Sequence, residues 1–244
     1  MVEAARPLPG GWKSSLIAAL CGLLIGALGV GLWYGFRTPG RAQIEAIVHD
    51  YILDHGELLP EAMARLEQRQ GAATIERHRA ALERPFHSAW AGAADGDVVL
   101  VEFFDYACPY CRTTNADVER LLREDRRLKV VWRELPVLGP NSEAAAQVSL
   151  SAARQGRFRA FHGRLFALGR PTEAVIAQAV RDTGVRPEGD TADGRAELAR
   201  NYELARAVGA TGTPTFVVGD RVLQGAVGYV ALKDAIRLAR ARRR

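Results

Sequence analysis

The chain has 244 residues, a formal net charge of +5 and a hydrophobic fraction of 48%. That length suits one moderate domain with appendages, beyond the size at which disulfides or metals must supplement a core. The charge excess is small and spread out, with no basic stripe of the kind a nucleic-acid protein gathers, which argues against a nucleic-acid partner.

Residues 1–15 read as a short tail carrying Arg6 and Lys13. Leu16 to Phe36 follow, 21 residues without a charge. As a helix, such a run spans about 31 Å, against a hydrocarbon core of about 30 Å. Trp33 and Tyr34 near its distal end suit the membrane interface. A cleaved signal peptide has a shorter apolar region ending in small-x-small, whereas this run ends Trp-Tyr-Gly-Phe-Arg. The expectation is an uncleaved transmembrane signal anchor over 16–36. Cys21 lies inside it, and Leu20 is too large for a lipoprotein site.

Thr38-Pro39-Gly40 punctuates the chain before a helical region over 41–84. Ile44, Ile47, Val48, Tyr51 and Ile52 fall at helical spacing, as do Leu59, Ala62, Met63 and Leu66. Ile75, His78 and Leu82 suggest a weaker third helix before Pro85. Short amphipathic helices cannot bury their stripes alone, so they pack on the next domain or on copies of themselves. His49, His55 and His78 make no metal-binding set.

The apolar run Asp97 to Phe104, DVVLVEFF, suits a central strand covered on both faces. After Asp105-Tyr106-Ala107, Cys108-Pro109-Tyr110-Cys111 opens a stretch with Val118, Leu121 and Leu122 at helical spacing. The reading is strand, loop, helix, with Cys108 at the helix N-terminus. Unpaired N–H groups and the positive end of the macrodipole favour an anion there. A thiolate at that position is stabilised, and its pKa is expected below the free value of about 8.5. Because only the reduced form has a thiolate, the disulfide becomes the oxidant. Pro109 suits the first helical position. Cys111, one turn in, suits a buried resolving thiol.

Other uses of the pair fit less well. A lone C-x-x-C closes almost no loop and is poor structural cement. A structural zinc site needs four ligands, and no second C-x-x-C or C-x-x-H is present. No metal and no cofactor is expected as the main role, although two soft thiolates leave copper(I) as an alternative.

The run VLVEFFDYACPYC resembles the active-site segment of the DsbA family, with its strand, acidic residue, two aromatics and C-P-x-C. The resemblance makes Cys108 and Cys111 the catalytic pair and Glu102 the buried acidic residue that assists proton movement. A second motif, Gly212-Thr213-Pro214-Thr215-Phe216, leads into a strand, with Gly219-Asp220 as a hairpin turn and Arg221 to Gln224 as the partner strand. It is similar to the cis-proline loop of thioredoxin-like proteins. That likeness makes Pro214 the cis proline and puts Thr213, Pro214, Pro109 and Tyr110 against substrate. Residues 44–70 resemble the N-terminal region of ScsC-type members, which implies a homo-oligomer through 41–84 and a link to copper handling.

Lys129 to Leu135 reads as a strand, residues 142–207 as a nearly all-helical block, and Tyr229 to Arg240 as a final helix. The fold class expected for 92–244 is α/β: a thioredoxin-like core with the helical insertion of DsbA-like proteins. His162, in the insertion, reads as a surface or packing residue. The cluster Arg240, Arg242, Arg243 and Arg244 reads as a solvated helix end. The resemblance implies an exported protein thiol–disulfide oxidoreductase, an oxidase or an isomerase, facing the periplasm or the cell exterior from a bacterial inner membrane. Its partners would be cysteine-containing client proteins and a membrane redox partner that reoxidises or reduces the pair. A copper-handling periplasmic thiol protein and a non-enzymatic chaperone are the alternatives.

Overall fold

The computed structural model describes residues 12–37 and 40–242, and the chain divides into two compact units, 1–63 and 64–244. In the first unit, helix α1 spans Trp12–Arg37 and α2 spans Arg41–Asp54, and α2 buries none of its side chains. Leu23, Ile25 and Leu28 of α1 are exposed, as are Ile44, Ile47, Val48 and Tyr51 of α2. Among the described residues, no helix is long and apolar enough to cross a membrane, so the anchor expected over 16–36 is not shown. The side chains of 32 and 34–36 in that run lie outside the described residues.

Helix α3 spans Leu58–Glu83. It corrects the sequence expectation of two separate helices here. Pro60 sits in the first turn, where a missing N–H costs nothing. Gly71 is tolerated in its interior, and the chain runs on as one helix.

The second unit is built on a five-stranded sheet in the order β1-β3-β2-β4-β5. Its strands are β1 (Trp90–Gly92), β2 (Val98–Phe104), β3 (Leu128–Glu134), β4 (Thr215–Val218) and β5 (Arg221–Gln224). Strands β2 and β3 are parallel, with Glu102 opposite Trp132 and Phe104 opposite Glu134. The other three pairings are antiparallel. The three-residue β1 has no counterpart in the sequence reading. It is closely fitted: Gly92 has φ +91, and a β-carbon there would lie 2.1 Å from the Leu128 carbonyl oxygen.

Every residue of β2 is buried, as expected for a central strand with both faces covered. Period-two alternation sorts its side chains between two cores. Leu100 and Phe104, with Val130, Trp132, Phe216 and Val218, meet Val118 and Leu121 of α4 (Pro109–Glu124), Ala145 and Ala152 of α5 (Pro140–Arg154) and Phe158 and Phe161 of α6 (Phe158–Leu168). That core also takes Ile176 and Ala179 of α7 (Glu173–Thr183) and Leu232 and Ile236 of α9 (Gly228–Arg242). On the other face, Val99, Val101 and Phe103 pack with Ile75 and Leu82 of α3 and with Leu204 and Ala205 of α8 (Ala192–Ala207).

The helices α5 to α8 thus fill the stretch between the parallel βαβ unit and the β4–β5 hairpin. This is a thioredoxin-like α/β fold with a helical insertion. Thr172 and Thr191 cap α7 and α8 by accepting the backbone N–H three residues on. Within the arginine tail, Arg242 is exposed as expected, but Arg240 departs from its expected solvated state. Arg240 grips Asp97 at 2.8 and 2.9 Å and reaches Asp125 at 2.8 Å, tying α9 back to the sheet. Arg243 and Arg244 lie outside the described residues.

Candidate active site

The site begins where β2 ends. Asp105 is buried and accepts three backbone N–H bonds, from Ala107 at 2.7 Å, Val137 at 2.8 Å and Leu138 at 3.0 Å. One carboxylate therefore fixes both the turn leading to the cysteines and the loop leaving β3. Cys108 follows as the N-cap of α4, with extended backbone angles and Pro109 as the first helical residue. Its Sγ accepts the N–H of Cys111 at 3.4 Å, a bond that the first helical turn would otherwise leave unmade. Both cysteines are free thiols, and both are buried.

The second motif meets the first here. The Thr213–Pro214 peptide bond is cis, and Cys108 Sγ lies 3.2 Å from the Thr213 carbonyl oxygen. Pro214 is buried and Thr213 half-buried, while Pro109 and Tyr110 are exposed beside them, Tyr110 at 64%. All four residues expected to face substrate thus border one sulfur or lie next to those that do. Val137 and Leu138, apolar yet about half exposed on the loop that Asp105 holds, are additional residues that sequence reasoning missed. So is Gln224. Its Oε1 accepts from Thr215 Oγ1 at 2.9 Å and Thr211 Oγ1 at 3.2 Å, and its Nε2 donates to the Gly209 carbonyl at 2.9 Å. One β5 side chain therefore braces both sides of the proline loop.

Behind the cysteines, Glu102 is 2% exposed. Trp132 Nε1 donates to its Oε2 at 3.0 Å, and Thr114 of α4 is a second hydrogen-bond partner. Burial pushes the carboxyl up to about 8, and the two hydrogen bonds oppose that only in part. Burial also pushes the Cys111 thiol well up, and the nearby Glu102 charge adds to the effect. Cys111 and Glu102 thus compete for protons in one dry space. Departure of Cys111 as a thiolate is costly unless a proton reaches it.

Two buried groups enlarge the site beyond what the sequence suggested. Glu134, at the end of β3 on the same sheet face as Glu102, is 3% exposed, and burial holds its carboxyl well above the usual range, with Asp105 adding to it. His162 is a packing residue and not a surface one, 1% exposed among the rings of Phe104, Trp132, Phe158 and Phe166. Burial, with the charge of Arg159, lowers it to about 3. Its placement had a signal in the sequence, since Phe158, Phe161, His162 and Leu165 share one helical face. Among the described residues, no group of three or more His, Cys, Asp or Glu is arranged to hold a metal ion.

The profile of the DSBA-like thioredoxin domain matches residues 99–237, more than half of the chain. The chain belongs to this family. The N-terminal domain of the copper resistance protein ScsC matches residues 41–73, which makes it an ScsC-like member. Among solved structures, a linker-deletion mutant of Proteus mirabilis ScsC superposes with a TM-score of 0.69 at 31% identity, covering 83% of this chain and 97% of that one. Among curated relatives, the Na(+)/H(+) antiporter NhaA 3 of Salinispora tropica is 32% identical over 153 residues, 59% of this chain but 24% of the antiporter. The chain therefore spans about a quarter of the length of that relative. The disulfide bond formation protein D of Bacillus subtilis is 25% identical over 163 residues, 59% of this chain and 73% of that protein.

Proposed function

We propose that this chain is an exported protein thiol–disulfide oxidoreductase working through Cys108 and Cys111. The observation that carries the reading is the juxtaposition of Cys108 Sγ with the Cys111 N–H on one side and the Thr213 carbonyl on the other. A sulfur anion at the helix start is stabilised by the N–H, and an extended client segment finds backbone partners along the proline loop. In the oxidising direction, a client thiolate attacks Cys108 Sγ of the Cys108–Cys111 disulfide. The S–S bond breaks, and Cys111 leaves with the electron pair and takes a proton from the neutral carboxyl of Glu102. A second client thiolate then attacks the client sulfur of the mixed disulfide and expels Cys108. Two electrons pass from the client dithiol to the protein. Run backwards, the same steps reduce or rearrange a client disulfide.

Glu102 is the proton donor and acceptor in this scheme, and Pro109, Tyr110, Thr213 and Pro214 form the client-binding rim. The pair must be recharged by a redox partner, which we take to be a membrane protein. Residence outside the cytosol follows from a chemistry that needs an oxidising compartment. Tethering through residues 16–36 is supported by the charge-free run and by the outward exposure of its leucines. Oligomerisation through 41–84 is supported by the uncovered apolar side chains of α2. It would favour an isomerase over an oxidase.

The deciding experiment is refolding of a reduced, multi-disulfide client with the oxidised protein, alongside the redox equilibrium of the pair against glutathione. Stoichiometric disulfide transfer is expected, and no transfer from a fully oxidised protein would overturn the reading. A second reading, copper(I) held by the two thiolates, draws on the ScsC-type match over 41–73. Stoichiometric copper binding without disulfide turnover would select it.

A further inference from the structure

The loop that leaves β3 is pinned along its whole length. Leu135 N–H donates to the Phe104 carbonyl at 2.8 Å, and Tyr202 Oη of α8 donates to the Pro136 carbonyl at 2.7 Å. Val137 and Leu138 both donate their N–H to Asp105 Oδ2, at 2.8 and 3.0 Å. The other carboxylate oxygen, Oδ1, accepts the Ala107 N–H at 2.7 Å, and the Asp105 carbonyl accepts the Cys108 N–H at 3.1 Å. One buried side chain therefore joins two segments. One carries the nucleophile, and the other carries two adjacent apolar side chains left about half in water, Val137 at 48% and Leu138 at 50%. We propose that Asp105 is a positioning residue that clamps the Val137–Leu138 rim to the Cys108 turn, so that an apolar client residue beside the reacting cysteine is held in register with Cys108 Sγ. This rests on the oxidoreductase reading of Cys108 and Cys111, and it names the class of client that the site prefers.

Two features separate this loop from an ordinary solvated connection. Every backbone N–H from 135 to 138 has a partner within the fold, Pro136 having none to place. The loop thus keeps its shape without help from water. What it displays is apolar surface, which a partner can cover, and fixing that surface in advance spares the cost of ordering it on binding. Counting acceptors then divides the clamp into two halves. A carboxylate offers two acceptor oxygens, and Asp105 uses both. An asparagine offers one. With its oxygen turned to Val137 and Leu138, it keeps both loop bonds and sets its amide against the Ala107 N–H, losing only the bond to the turn. Turned the other way it keeps one bond and loses two, so the first orientation wins. Asn at 105 therefore frees the turn and spares the loop, whereas Ala frees both.

The test gives the oxidised full chain two dithiol peptides that differ only beside the first cysteine, leucine in one and serine in the other. The wild type is expected to oxidise the leucine peptide with a kcat/KM about tenfold higher, the difference lying in KM. V137S/L138S changes two exposed side chains and should bring the ratio near one. D105A should do the same by releasing the loop. D105N should keep the ratio within about twofold of wild type while kcat falls about threefold to tenfold on both peptides. Amide exchange in D105N should quicken at Ala107 and stay slow at Val137 and Leu138, which decides the clamp even if D105A does not fold. A purely structural role would slow both peptides alike and leave the ratio untouched. The proposal is overturned by a wild-type ratio in V137S/L138S or in folded D105A. It is equally overturned by a D105N protein whose three amides quicken together or not at all. A wild type that transfers no disulfide to either peptide fails the oxidoreductase reading, whereas one that oxidises both peptides equally fails the rim alone.

Discussion

Cys108 Sγ and the carbonyl oxygen of Thr213, 105 positions apart in sequence, lie 3.2 Å from each other. The proposed attacking sulfur and the proline-loop backbone thus form one surface, while Cys111 lies beneath it with no exposure at all. The two cysteines should therefore fail in different ways. Cys108→Ser is expected to abolish client oxidation, a loss on the order of 10³-fold or more. Cys111→Ser should instead accumulate a mixed disulfide between Cys108 and the client, visible as a mass shift on non-reducing gels. An accumulating adduct at Cys111 in the Cys108→Ser protein would contradict the assignment.

Glu102 sets a pH dependence whose sign can be worked out. Burial raises its carboxyl to about 8, above the unfolded value of 4.5, so the folded state holds a proton that the unfolded chain releases. Stability is therefore fully present below pH 4.5 and is lost as the pH rises to about 8, by a total of about 5 kcal/mol. Glu102→Gln lacks the titration. Its thermal midpoint should pull ahead of the wild type across that window, while its disulfide transfer slows and loses the inflection near pH 8. Parallel melting curves for the two proteins from pH 4.5 to 9 would refute the shift.

Much of this site was legible because its chemistry is carried by short, local patterns. C-P-Y-C after a charge-poor strand fixes a helix start, and T-P-T-F before a Gly-Asp turn fixes the loop and hairpin that meet it. Glu134, Gln224 and Arg133 were not legible for the opposite reason. Each is an ordinary strand-end polar residue whose role comes from partners 9 to 68 positions away. Nothing in its neighbours' periodicity announces those partners. His162 lies between these cases, since its helical face is apolar but the pattern does not say that its two ring nitrogens meet Tyr106 and Asn115.

Gln224 offers a test of the proline loop that leaves the cysteines intact. Its side chain links Gly209, Thr211 and Thr215 across the loop, each bond being side chain to side chain or side chain to backbone. Gln224→Ala removes all of them at a half-open site. Its expected cost is about 1–3 kcal/mol of stability. On the proposed pairing of a client backbone with this loop, KM for a peptide client should rise severalfold while the glutathione equilibrium of the pair stays near its wild-type value. An unchanged KM would remove Gln224 from the client-binding surface.

Arg133 presents a large expected stability effect in the unit 64–244. Its guanidinium is 1% exposed and lies on the sheet face opposite the cysteines. Nε donates to the Leu82 carbonyl at 3.1 Å, and Nη2 to the carbonyls of Ala81 and Arg84, so three orphan acceptors at the end of α3 share one side chain. Nη1 reaches Glu197 at 2.9 Å and Asn201 at 2.8 Å on α8. Arg133→Met keeps the volume but strands the carbonyls and leaves Glu197 with Arg200 alone, a loss of about 3–5 kcal/mol. The loss should be local in origin, with amide exchange in residues 75–84 accelerating before the rest of the unit. Replacing Glu197 by Gln in the same protein should recover part of the stability, since a buried charge balanced only by the exposed Arg200 is then gone. If the double variant is no more stable than Arg133→Met, the charge is not what the guanidinium is there to balance, and the helix-end carbonyls account for the whole effect.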